Sequence, residues 1–135
     1  MKLWLLKSEP DVYSYDRLEA DKKGIWDGVR NYQARNNLRE MQVGDLALFY
    51  HSNIGQEIVG LARISAAHFP DPTTTDERWL AVEVEPVRKL KNPVTLKQLK
   101  ADPQFVDLTL VRHSRLSVMP VSKTHFDAIL ALSEL

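Results

Sequence analysis

The sequence predicts a mixed α/β domain, built as a small curled sheet or barrel with short helices on its flanks. Three observations predict it. Short apolar runs, Leu3 to Leu6 and Leu46 to Tyr50, read as buried strands. Polar capping residues open several short helical stretches between them. No regular alternation of strand and helix runs through the chain, so a doubly wound parallel sheet is not expected.

Leu3 to Leu6 is the first strand, and Lys7-Ser8-Glu9-Pro10-Asp11 ends it, because Pro10 cannot donate to a ladder. Ser14 is a suitable N-cap for a helix over Tyr15 to Ala20. Gly24-Ile25-Trp26 is a short strand and Asp27-Gly28 a turn. Asn31 caps a helix that runs to about Glu40, with Tyr32, Leu38 and Met41 inward. Val43-Gly44-Asp45 turns the chain into the second strand, Leu46 to Tyr50. Gly55 supports a hairpin turn into Glu57 to Ile64, where Gly60 signals a bulge or a close backbone approach.

Ala66 to Glu77, with Pro70, Pro72 and three consecutive threonines, reads as a polar loop. Trp79 to Glu85 is a half-exposed strand that Pro86 ends. Thr95 to Lys100 is a capped helix, and Asp102-Pro103 opens another turn of helix. Val111 to Ser117 alternates loosely, as a strand would. Ser122 caps a final helix on which Phe126, Ile129 and Leu130 share a face. No repeat, linker or low-complexity segment interrupts residues 1–135, which are expected to form a single domain.

The 135 residues carry 18 Lys and Arg against 18 Asp and Glu. A neutral chain argues against a protein that coats a duplex by counterion release, and leaves room for a local basic patch. The absence of Cys excludes disulfides and thiolate chemistry and is compatible with a cytoplasmic location. No apolar run reaches the length of a membrane span, and the early run ends too soon for a signal-peptide core.

Catalytic and cofactor signatures are missing. His51, His68, His113 and His125 form no metal-binding pair, and no Cys can complete a zinc set, so no metal is expected. The five glycines write neither a dinucleotide fingerprint nor a phosphate loop, and no cofactor is expected. No nucleophile elbow exists.

Binding chemistry is better represented. Ile25 to Asn37 packs an aromatic face, a turn pair, cations and amides into thirteen residues. Trp26 beside Asp27, Gly28, Arg30 and Asn31 offers a stacking plane with donors and acceptors, as a nucleobase pocket requires. The same residues also fit a plainer role, with Trp26 in the core and Arg30 bridging surface carboxylates. Lys7-Ser8-Glu9 and Tyr50-His51-Ser52-Asn53 end the first two strands and are placed to share one rim. Leu108 to Phe126 holds Arg112, His113, Arg115, Lys123 and His125 with no carboxylate, either a phosphate-facing side or a solvated face. Trp4 and Trp79 read as core, Trp4 with some reach towards the rim.

Four stretches carry a family resemblance. Trp4 to Pro10, Trp26 to Asn36, Phe49-Tyr50-His51-Ser52 and Ser114 to Val121 closely resemble the EVE domain family, over essentially the whole chain. The resemblance implies a PUA-like fold, a pseudo-barrel of curled β-sheet flanked by short helices. It also implies kinship with YTH and SRA domains, which hold a flipped modified base in an aromatic pocket. Lys7-Ser8, Trp26 and Asn53 resemble YTH pocket positions. Trp79 resembles a YTH strand tryptophan outside the cage, and Tyr50 and His51 are candidate substitutes for further cage aromatics.

These readings together give a non-catalytic reader of a modified base in nucleic acid, DNA rather than RNA. The expected base-pocket and nucleic-acid-binding set is Lys7, Ser8, Trp26, Asp27, Gly28, Arg30, Asn31, Tyr50, His51, Ser52, Asn53, Arg115 and Ser117. Trp26 would stack on the base. Asp27, Asn53 and the Ser8 hydroxyl would meet its edge, and Lys7, Arg30 and Arg115 would hold phosphates. The alternatives are an RNA- or tRNA-binding PUA-like module and an enzyme acting on a nucleotide with His51 as acid or base. No membrane partner is expected, and a monomer is the expected state.

Overall fold

The computed structural model describes residues 1–113 and 115–135; Ser114, in the fourth stretch above, lies outside them. The strands are β1 (Leu3–Ser8), β2 (Gly24–Trp26), β3 (Leu46–His51), β4 (Glu57–Pro70), β5 (Leu80–Thr95) and β6 (Val118–Pro120). The helices are α1 (Tyr15–Asp21), α2 (Tyr32–Glu40), α3 (Leu96–Ala101), α4 (Thr109–Arg112) and α5 (Lys123–Ser133), with a 3-10 turn at Pro103–Phe105. One sheet takes all six strands in the order β2-β5-β4-β3-β1-β6 and curls into a half-barrel. The expected mixed α/β class with a curled sheet is what the chain forms.

β1 and β3 run parallel as neighbours, Leu3 opposite Leu46 and Ser8 opposite His51. Both are buried over Trp4-Leu5-Leu6 and Ala47 to Tyr50, which is why each is a continuous apolar run. Asp45 locks their start. Its carboxylate accepts from the Trp4 indole N–H at 3.0 Å and from the backbone N–H groups of Lys2 and Gln42 at 3.1 and 3.0 Å. Burial alone would raise this carboxyl, but those hydrogen bonds prevail and lower it. Trp4 is therefore core and does not reach a rim.

The helix caps follow the sequence closely. Ser14, Asn31, Thr95, Asp102 and Ser122 each accept a backbone N–H at a helix start, and Thr95 with Gln98 completes a capping box. Gly60 is a close approach: a Cβ there would lie 2.5 Å from the Tyr15 ring. Tyr15 is held in place by its hydroxyl, which donates to the Leu61 carbonyl at 2.7 Å, and by an edge contact with Phe49.

Five sequence expectations fail. Ala66 to Pro70 is not loop but the end of β4, where Ala66, Phe69 and Pro70 oppose Glu83, Ala81 and Leu80. The connection is only 71–79, closed by the Asp71 N–H on the Trp79 carbonyl at 3.0 Å. Pro86 does not end β5, because the register shifts between Leu61 and Ala62, and a bulge there tolerates a residue with no N–H to donate. The described residues between Val111 and Ser117 hold the end of α4 rather than the expected strand, and β6 starts at Val118. Tyr32 is half exposed rather than inward, and Trp79 is only partly buried. Trp79 precedes β5 by one residue and stacks outside the core on Tyr32, ring centres 5.1 Å apart.

No helix among the described residues is long and apolar enough to cross a membrane. The half-barrel stays open on one side. β2 forms one edge of the sheet and β6 the other, with β1 next to it. That seam positions the site.

Candidate functional site

A cavity of about 610 Å³ fills the seam. Lys7 and Ser8 at the end of β1, with Ser117 just before β6, line one side; Gly24 to Trp26 of β2 and the turn through Arg30 line the other. Val12, Tyr13 and Arg17 complete the wall from the α1 side. The lining includes four cations, Lys7, Arg17, Lys23 and Arg30, against two carboxylates, Asp21 and Asp27. A neutral protein thus keeps a positive excess at this cavity, where a polyanion gains most from it.

Trp26 is fixed by packing. Its ring meets Phe49 edge-on, centres 5.4 Å apart at 88°, and only 7% of the residue remains accessible. It presents a small part of the indole to the cavity rather than an open face. Tyr13 supplies a second aromatic wall. Its carbonyl accepts the Ser8 hydroxyl at 2.8 Å, and the Arg17 guanidinium lies 5.8 Å from its ring centre.

The Asp27-Gly28 turn is held by a residue far away in sequence. Gly28 has φ of +74°, a conformation that suits glycine, and its N–H donates to Asp71 Oδ2 at 2.8 Å. Arg30 Nη1 donates to the same oxygen at 2.9 Å, and Nη2 to Thr73 Oγ1 at 3.1 Å. Asp71 Oδ1 takes the Thr73 N–H and hydroxyl. Burial would raise the Asp71 carboxyl; the bonds from Thr73, Arg30 and Gly28 outweigh it and bring it down to about 2. Asp27 moves the other way, raised by desolvation and then by the nearby Asp71 charge.

Arg30 is also stacked. Its guanidinium lies 5.6 Å from the Trp79 ring centre, Trp79 stacks on Tyr32, and Arg35 covers Tyr32 at 5.1 Å. This ladder ties the 71–79 turn to α2. Lys7 sits over the Tyr50 ring at 5.8 Å, and burial lowers its ammonium pKa.

Seven of the thirteen expected residues meet at the cavity: Lys7, Ser8, Trp26, Asp27, Gly28, Arg30 and Ser117. The others lie elsewhere. Asn31 spends its side-chain oxygen on the Ala34 N–H as the α2 cap. Tyr50 is buried, beneath Lys7. His51 Nε2 accepts the Tyr15 N–H at 3.1 Å, and burial lowers its pKa, which favours the neutral ring. Ser52 donates its N–H to the Ser8 carbonyl, and Asn53 donates to the Glu9 carboxylate at 2.7 Å. Arg115 lines a separate groove with Asn31, Gln33, Arg112, His113 and Leu116.

Sequence reasoning missed Tyr13 and Asp71. Tyr13 follows the Pro10 turn closely enough to face the same rim. Asp71 lay within a stretch read as loop, and nothing local marks it. Among the described residues, no three His, Asp or Glu are grouped to hold a metal.

The comparisons with known proteins bear on the family and the fold. The family model described as the EVE domain matches residues 2–132. Mouse thymocyte nuclear protein 1 is 39% identical over 97% of this chain and 73% of its own length. A crystal structure of an Agrobacterium tumefaciens protein superposes with TM-score 0.97 at 40% identity, covering 100% of this chain and 94% of that one. The human THYN1 protein, in a crystal structure with 5-methylcytosine-containing DNA, superposes at 0.93 with 34% identity over 100% and 99% of the two chains. A YTH domain from Zygosaccharomyces rouxii shares the fold, at TM-score 0.59 and 22% identity over 98% and 86%. The chain belongs to the EVE domain family.

Proposed function

We propose that the seam cavity holds one modified base extruded from nucleic acid, and that the chain reads this base without chemistry on it. The observation that carries the reading is the meeting of Trp26, Asp27 and the Ser8 hydroxyl in one cavity with Lys7 and Arg30 beside them. The part of Trp26 that reaches the cavity, with Tyr13, packs the base plane; stacking contributes about 1–3 kcal/mol per base. Asp27 accepts from an exocyclic amino group, the contact a carboxylate makes to cytosine. Val12 and Ile25 in the lining give a methyl substituent apolar contact. Lys7 and the outer N–H groups of Arg30 hold the attached phosphate.

A 5-methylcytosine in DNA is the proposed ligand, supported by the DNA complex of the human relative at 34% identity. DNA is accordingly preferred to RNA. Support for binding without catalysis comes from His51, the acid or base of the enzyme alternative. It is not in the cavity lining, and its Nε2 is already engaged by Tyr15. The relatives are called nuclear proteins, which lends the cytoplasmic expectation no support.

The test is titration of DNA strands that differ by one 5-methylcytosine against wild type and Asp27→Asn. Preference of wild type for the methylated strand is expected, with weaker binding of both strands by the variant, because cytosine and 5-methylcytosine share the amino group that Asp27 accepts. Equal affinity for both strands, unchanged by the substitution, would sink the reading. Competition by the matched RNA strand separates DNA from RNA through the 2′-OH.

A further inference from the structure

The cavity has a neighbour. A groove of about 350 Å³ is lined by Asn31, Gln33, Arg112, His113, Arg115 and Leu116. No carboxylate is in that lining. It adjoins the base cavity at two places along the chain. Arg30 lines the cavity and Asn31 the groove; Ser117 lines the cavity and Leu116 the groove. The two depressions are therefore linked along the chain through two pairs of consecutive residues.

We propose that this groove is a second binding site, which takes the phosphodiester backbone of the strand next to the extruded nucleotide. The proposal rests on the base-pocket reading for the position of that nucleotide. A sugar leaving the cavity at the Arg30 and Ser117 side passes these residue pairs, and the next phosphates fall over the groove. Among the described residues Arg115 has no carboxylate partner. Arg112 Nη1 reaches the exposed Asp107 at 3.2 Å, an ion pair in water that a phosphate displaces at little cost. The amide side chain of Gln33 and the His113 ring add donors that suit phosphate and sugar oxygens. In this arrangement the groove meets only phosphate and sugar, so its contribution is independent of sequence and of the modification. The ligand is then a nucleotide within a strand rather than a free nucleoside, which would leave the groove empty.

The experiment compares wild type, the double variant Arg112→Gln/Arg115→Gln, and Asp27→Asn. Each is titrated with a short single-stranded DNA carrying one 5-methylcytosine and with the same strand unmodified, at several salt concentrations. Both arginines are exposed, so thermal melts are expected to match wild type. The double variant weakens both strands by the same factor, on the order of tenfold, and leaves their ratio unchanged. Its log K against log salt slope falls by about 1.4, from 0.7 for each of two single-strand phosphates. An unchanged affinity and slope would overturn the groove. So would a change in the ratio, which would mean that the groove reads the base. If wild type binds the two strands equally while the double variant loses slope, the pocket reading fails and the groove stands. Absence of binding by wild type to either strand at low salt overturns both.

Discussion

The Gly28 amide and the Asp71 carboxylate, 43 residues apart in sequence, are joined by a hydrogen bond of 2.8 Å. The same carboxylate oxygen takes Arg30. One buried side chain thus sets the shape of the turn that, with β2, lines one side of the cavity.

Asp71→Asn is expected to lower stability by about 1.5–3 kcal/mol, the usual worth of hydrogen bonds to a charged group. Acid should do the same to wild type. The folded carboxyl titrates near 2, below its ordinary value of about 3.9, so its contribution is present above that value. It is lost as pH falls from about 4 towards 2, and the variant should lack this part of the acid transition. Urea denaturation against pH checks it; a variant that matches wild type at pH 7 contradicts the bracing role.

Trp26→Ala should cost about 3–5 kcal/mol, because Trp26 is 7% exposed and packs on Phe49. Lost binding in that variant would mix unfolding with lost contact. Trp26→Phe is expected to fold with a smaller penalty and to weaken DNA binding at constant fold. Denaturation midpoints of both variants, measured beside affinities, separate the effects. An unaltered midpoint in Trp26→Ala would refute the packing.

Asp27→Asn should trade stability for binding in the favourable direction. A carboxyl raised in the fold costs stability when ionised. That cost is absent below the unfolded pKa and complete above the folded one. The variant should therefore melt at or above wild type near pH 7, and lose this advantage at about pH 3. Its affinity for methylated DNA should fall. Melting below wild type near pH 7 would show that Asp27 supports the fold instead.

Gly60→Ala should destabilise by about 1–3 kcal/mol, since its Cβ would meet a Tyr15 ring that Leu61 and Phe49 hold in place. Gly60 is not in the cavity lining, so affinity of the folded fraction should be unchanged. Wild-type stability in this variant would mean that Tyr15 is free to move. Affinity lost from the folded fraction would link this contact to the site.

Local order was legible where one residue answers to another two to four positions away. Ser14, Asn31, Thr95 and Ser122 cap the helices that follow them, and the apolar runs at Leu3 and Leu46 become the buried parallel pair β1 and β3. Half of the site was legible for a similar reason. Lys7-Ser8 and Trp26 to Arg30 are compact motifs whose polar and aromatic types advertise a pocket, and the family resemblance rests on the same stretches. Asn31 shows the limit: an Asn among pocket residues looks like a base contact, and its side-chain oxygen is taken by the helix cap.

The amino-acid order by itself determined the elements, their caps and the two motifs that flank the cavity, because these depend on hydrogen bonds and side-chain alternation within a few residues. Only the tertiary structure decided that β4 and β5 continue through Pro70 and Pro86, that Trp79 stacks outside the core, and that Asp71 braces Gly28 and Arg30. Those outcomes depend on strand register, bulges and a buried carboxylate that meets its donors across more than 40 residues of chain. No local pattern encodes such a meeting. It exists once the sheet curls, leaves its seam between β2 and β6, and brings the turn and the Asp71 loop against each other.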